Sequence, residues 1–89
     1  MKTGTIEKSI SISYSINLQD SSSQWTSIEY IYHLEDAINQ VKNLDFEKYD
    51  YIAIETSILN DTAKDNDYKS ISVDNLLVFD RLNNYKLEI

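Results

Sequence analysis

The chain has 89 residues, 42% apolar and 26% charged, with a formal net charge of −7. That length supports one domain and one modest core, because a chain of this size buries only roughly 60–65% of the surface its unfolded form exposes. The apolar content excludes a disordered chain. The absence of cysteine excludes disulfides, thiolate metal sites and thiol nucleophiles.

Residues 5–18 predict the first strand. Ile10, Ile12, Tyr14, Ile16 and Leu18 alternate strictly with serine and asparagine, which is the period-two signature of a half-buried strand. The apolar set should face a covering helix, and Ser9, Ser11, Ser13 and Ser15 should lie on the open face. Such a face is flat and costs less to desolvate than a charged one. Residues 19–24, QDSSSQ, read as a polar loop.

Residues 25–33, WTSIEYIYH, carry two readings. With period two, Ile28, Tyr30 and Tyr32 share one face of a second strand. With helical period, Ile28, Ile31, Leu34, Ile38 and Val41 form a stripe, and Thr26 and Glu29 become the capping box of one long helix. The density of Trp, Tyr, Ile and Thr favours the strand. A helix over 34–44 follows on either reading, with Leu34, Ala37, Ile38, Val41 and Leu44 on one face. Glu35 and Asp36 complement its dipole in the first turn, and Asp45 follows where it should stop.

Residues 49–59 read as a strand, with Ile52, Ile54 and Ile58 on one face and Tyr49, Tyr51 and Glu55 on the other. A polar loop over 60–67 leads to a strand resuming at 68–73. The end of the chain predicts a hairpin with a two-residue Asn83-Asn84 turn, since asparagine tolerates positive φ. Leu82 would then face Tyr85, Asp80 would face Leu87, and Val78 would face Ile89. Leu76, Val78, Leu82, Tyr85, Leu87 and Ile89 would share a face, with Leu77 and Phe79 opposite. The expected fold is α+β in two layers: one helix on an antiparallel sheet of about five strands, in the order ββαβββ, or βαβββ if the helix starts early. With one glycine, Gly4, and no proline, the turns must come from Asn, Asp and Ser.

Little in this chain points to catalysis. The single histidine, His33, falls at a strand-to-helix boundary with no nucleophile motif around it. One glycine cannot build a phosphate-cradling loop. Residues 65–76 begin like a calcium loop with Asp65 and Asp67. However, Lys69 stands at a ligand position, Ser70 at the glycine and Leu76 at the bidentate glutamate. The sequence therefore predicts no enzyme, no metal and no cofactor.

The charge is unevenly placed. In residues 1–28, Lys2 and Lys8 cancel Glu7 and Asp20, whereas residues 29–89 hold thirteen acids and six bases. Acids repel nucleic acid and anionic lipid and attract basic surfaces, so direct nucleic-acid and membrane binding are not expected. Glu35, Asp36, Asp61, Asp65 and Asp67 are the candidate contact acids, and Tyr49, Tyr51 and Tyr68 the candidate aromatic anchors; Tyr30 and Tyr32 also lie among acids. Carboxylates pair with arginine and lysine, and tyrosine adds contact area at low entropy cost. No apolar run approaches the roughly 18 residues of a membrane span.

In length, acidity, scarce glycine and missing cysteine, the chain resembles the small inhibitors that phages and mobile elements direct against bacterial defence, anti-CRISPR and anti-restriction proteins among them. The resemblance implies a basic partner, such as a CRISPR effector or another nucleic-acid-binding defence protein. The heavy use of Ile, Asn, Lys and Tyr suggests a low-GC bacterial host, and the expected compartment is its cytoplasm. An immunity protein or antitoxin against a basic toxin is the alternative with the same physics. A subunit that self-associates through the C-terminal hairpin, as a homodimer or larger assembly, is the alternative with different physics.

Overall fold

Five strands pair in the order β2-β1-β3-β4-β5, all antiparallel, and one helix lies across one end of the sheet. The elements are β1 (Ser9–Asp20), β2 (Trp25–Ile31), α1 (Leu34–Lys42), a short 3-10 turn (Phe46–Lys48), β3 (Tyr49–Thr62), β4 (Asp67–Asp80) and β5 (Tyr85–Lys86). This computed structural model describes residues 9–62 and 67–89, with side chains for 11–58 and 71–89. The architecture is the expected two-layer α+β fold in its ββαβββ form.

The core sits where α1 crosses the sheet. Ile16 and Leu18 of β1 lie opposite Ile54 and Ile52 of β3, and these four pack with Ile31, Ala37, Val41 and Val78. Ile16, Val41, Ile52 and Val78 are fully buried. The strand reading of residues 25–31 therefore prevails over the long helix, and the Thr26–Glu29 capping box does not form. His33 is the N-cap of α1, and its carbonyl accepts from the amides of Asp36 and Ala37 at 3.0 and 3.2 Å. The helix ends at Lys42 rather than 44, and Asp45 caps the following 3-10 turn by accepting from the Glu47 amide at 3.1 Å.

The turns come from the residue types that scarce glycine required. Asp20 Oδ1 accepts from the amides of Ser22 and Gln24, and Ser23 takes φ 67°. Gln19 and Asp20 belong to β1 rather than to the loop. At the far end the two-residue Asn83-Asn84 turn is corrected. Arg81–Asn84 form a four-residue turn with Asn84 at φ 54°, and the flanking pairs are Asp80↔Tyr85 and Phe79↔Lys86. Leu82 thus sits at the turn tip, 87% exposed. An Asp80 carboxylate that accepts from both the backbone and side-chain nitrogens of Asn83 favours the longer turn.

Of the four irregularities in the strand registers, three, on β4 and β2, change which residues share a face here, and the fourth leaves Asp50 extra at the start of β3. Ile52 pairs with Phe79 and Ala53 with Leu77, so Val78 is an extra residue on β4. Val78 is buried in the core and Phe79 packs against it, which corrects the expectation that the two point to opposite sides. A second extra residue on β4, Val73, lies between the pairs Thr56↔Asp74 and Ser57↔Ser72. The third is on β2. Tyr14 pairs with Ile31 and Ile16 with Ile28, leaving Glu29 and Tyr30 opposite Ser15 alone. A bulge of this kind bends its strand and re-aims a side chain. It explains why Ile31 is buried while Tyr30 and Tyr32 are exposed, instead of Ile28, Tyr30 and Tyr32 sharing one face.

The molecule is long, with extents of 56 × 24 × 19 Å and a radius of gyration of 16.4 Å, against about 12 Å for a compact chain of this length. Its strands cause this. β3 and β4 run 14 residues each, about 46 Å, whereas the nine-residue helix spans about 13 Å. Half of the stretch read as a loop over 60–67 extends this hairpin: 60–62 and 67 are strand, and 63–66 lie outside the described residues. The strand resuming at 68–73 is one element with the segment up to Asp80.

Candidate functional site

The bulge on β2 makes the most distinctive surface. Tyr30 holds φ 64°, a left-handed conformation that costs a non-glycine residue about 1–2 kcal/mol, and its side chain is 71% exposed. Tyr32, just past the strand, is 54% exposed. Between β2 and the outer face of α1 lies an open hollow of about 520 Å³, lined by Glu29, Tyr30, Tyr32, His33 and Asp36 with the amides of Asn39, Gln40 and Asn43. Neither lysine nor arginine lines it. Glu35 is exposed on the same first turn of the helix.

These carboxylates are available to a partner. Among the described residues the one ion pair is Arg81 with Asp50, at 3.1 Å. Glu55 accepts from the Ser15 hydroxyl at 3.3 Å, and Asp80 is engaged by Asn83. β2 is also the outermost strand on its side of the sheet, so its outer edge adjoins the acid and tyrosine side chains.

The sequence-predicted contact residues do not form one patch. Glu35 and Asp36 lie on α1, at the body end. Asp61 faces Tyr68 in the β3–β4 register, and Thr62 faces Asp67, at the other end of the molecule. The side chains of Asp61, Asp67 and Tyr68 lie outside the described set, as does all of Asp65. Tyr49 is half-buried against the core, and Tyr51 is half-buried with its ring 5.3 Å from Trp25, edge to face. Both are packing residues before they are anchors. Glu29, by contrast, is visible in the sequence only as half of a capping box. Its neighbourhood depends on a bulge that periodicity cannot reveal.

A larger groove, about 790 Å³, runs between the 3-10 turn and the C-terminal segment. It mixes Lys42 and Lys86 with Asp45, Glu47 and Glu88, and the Lys86 ammonium sits 4.8 Å from the centre of the Phe46 ring. Opposite charges there offset one another, so it is a poorer match for a basic partner. Among the described residues no group of three or more histidines and carboxylates could hold a metal ion, and no described helix is long and apolar enough to cross a membrane. No family model, no curated protein and no solved structure matches the chain.

Proposed function

We propose that the protein is an acidic protein-binding inhibitor that covers a basic, nucleic-acid-binding surface of its target, and that it docks through the β2–α1 edge. The observation that carries this reading is the pairing of two exposed tyrosines, Tyr30 and Tyr32, with Glu29 and Asp36 in a hollow that no lysine or arginine lines. Tyrosine and a carboxylate rim suit an arginine- or lysine-rich surface: the rings supply buried area and the carboxylates pair with guanidinium and ammonium groups. Complementary charge also speeds encounter, by 10- to 1,000-fold in favourable cases. The target class we favour is a bacterial defence effector of the CRISPR type, and the source a phage or mobile element.

The test begins with capture of a basic protein from a low-GC bacterial host. The captured protein's binding to DNA or RNA is then measured by mobility shift with and without the inhibitor. Nucleic-acid binding should fall as inhibitor is added, and Tyr30→Ala or the pair Glu29→Gln with Asp36→Asn should restore it. A ternary complex of inhibitor, target and nucleic acid would overturn the proposal, as would inhibition that these variants leave intact.

A further inference from the structure

β2 closes one side of the five-stranded sheet, and among the described residues no strand pairs with its outer edge. Its ladder to β1 shows which backbone groups lie there. The Asp20 amide donates to the Gln24 carbonyl at 3.0 Å, and from Gln19↔Trp25 to Ile16↔Ile28 the register runs without a shift. Backbone groups alternate between the two sides of an antiparallel strand. Thr26 and Ile28, in step with Gln24, therefore bond to β1, and the N–H and C=O groups of Trp25 and Ser27 point away from the sheet. The Ser27 hydroxyl donates to Asn17 Oδ1 at 2.9 Å, in keeping with the closer side chains of a pair that exchanges no backbone bonds. We propose that this edge takes up an extended, lysine- or arginine-bearing segment of the target as a sixth strand, with its cationic side chains entering the hollow between β2 and α1. The inference rests on the inhibitor reading for where docking occurs, and it names the form of the partner.

Three observations select such a segment. The first is the backbone itself. The donors and acceptors of Trp25 and Ser27 form a template that another extended backbone matches. Guarded edges carry lysine or proline, and Trp25–Ile28 has neither. The second is charge. Glu29 and Asp36 line the adjoining hollow, neither lysine nor arginine does, and among the described residues neither acid belongs to an ion pair. Carboxylates left in this way favour a cation. They disfavour the β2 edge of a second copy, whose one charged residue is another Glu29.

The third is position. The hollow begins at Ile28, where the regular ladder stops at the bulge. A strand paired along Trp25 and Ser27 therefore runs on over the hollow. There Asn39 and Gln40 of α1 offer amides, and the exposed Tyr30 and Tyr32 offer rings, to the stem and head of a lysine or arginine. At the other end Trp25 is 59% exposed and suits a β-branched residue of the added strand. Main-chain bonds give affinity without reading sequence, so the acids and rings set the preference for a basic segment.

The probe is a short, end-blocked peptide that alternates lysine with valine, and its control is a proline-interrupted peptide of equal charge. Hydrogen exchange read by NMR on the native chain reports on the edge directly. The Trp25 and Ser27 amides should exchange fast in the free chain and about tenfold slower or more with saturating peptide, while those of Thr26 and Ile28 stay protected throughout. Ser27→Pro removes one outward donor and leaves the β1 ladder whole, since an edge tolerates proline. It should weaken peptide binding about tenfold, the cost of a lost hydrogen bond, whereas Ser27→Ala should bind as the native chain does. Strand addition is overturned by no binding, by binding without protection of Trp25 and Ser27, by equal binding of the proline-interrupted peptide, or by full binding to Ser27→Pro. It is also overturned if sedimentation shows the free chain paired with a second copy through β2. The two readings fail separately. If Ser27→Pro blocks the captured target's nucleic-acid binding as well as the native chain does, strand addition falls and the inhibitor reading stands. If the peptide adds to β2 while the target's nucleic-acid binding is untouched, the inhibitor reading falls alone.

Discussion

The Arg81 Nε donates to Asp50 Oδ1 at 3.1 Å, and through this pair the chain's only arginine ties the turn that follows β4 to the start of β3, at one end of the sheet. The same guanidinium donates from its Nη2 to the carbonyls of Phe46 and Tyr49, both at 2.8 Å, and lies 5.2 Å from the centre of the Phe79 ring. The Arg81 amide also donates to the Asp50 carbonyl at 2.9 Å. The β4–β5 turn and the 3-10 connection entering β3 are therefore held by one fork-shaped side chain.

Replacing that fork should destabilise the fold although the pair is partly exposed. Arg81→Ala should cost about 1–2 kcal/mol, the value of hydrogen bonds to a charged group reduced by solvent screening. Arg81→Lys should recover less than half of it, because an ammonium cannot reproduce the planar set of donors. Urea unfolding midpoints of the three proteins check this.

Two isoleucines on the same face of β1 should behave differently. Ile16 is fully buried beneath α1, and Ile12 is half-exposed beyond the helix. Ile16→Ala should cost about 2–4 kcal/mol, from lost burial and the cavity left behind. Ile12→Ala should stay within about 0.5–1 kcal/mol of the native protein. Equal losses by chemical denaturation would mean that α1 reaches farther along the sheet.

Tyr30 is a place where stability and contact chemistry should separate. Its φ of 64° suits glycine. Tyr30→Gly should therefore be more stable than Tyr30→Ala by about 0.5–1 kcal/mol, even though glycine normally costs more unfolded-state entropy. Both variants should lose affinity for the basic target. Thermal unfolding gives the first comparison and binding isotherms the second.

Electrostatic docking should show itself in kinetics. Raising salt from about 50 to about 500 mM shortens the Debye length from roughly 14 to roughly 4 Å and should slow association with the target about tenfold or more. Dissociation should change far less. Replacing Glu29, Glu35 and Asp36 with their amides should flatten that salt dependence, measured by surface plasmon resonance.

Local chemistry made much of the fold legible. The strict alternation of Ile12, Tyr14, Ile16 and Leu18 specifies a strand, and the spacing of Ala37 and Val41 specifies one helical face, because side-chain direction follows backbone period. Asn, Asp and Ser point to the turns because, in a chain with one glycine, their short side chains hydrogen-bond the nearby backbone, as Asp20 and Asp80 do. The candidate site was less legible. The helix start points to Glu35 and Asp36, but Glu29, Tyr30 and Tyr32 come together through a one-residue bulge, and a bulge shifts every later side chain without leaving a periodic mark.

By itself, the sequence determined the class of fold, the acidity and the exclusion of thiol and phosphate-loop chemistry, since these depend on composition and on neighbours a few residues apart. Tertiary structure alone decided the rest. It buried Ile16 and bared Ile12, took Asp50 for Arg81 while leaving Glu29 and Asp36 outside any ion pair among the described residues, and set the acids of the helix apart from Asp61 at the far end of a 56 Å molecule. Burial and charge pairing are settled by which strands meet and how far one helix reaches. Those are long-range facts that no local pattern of residues encodes.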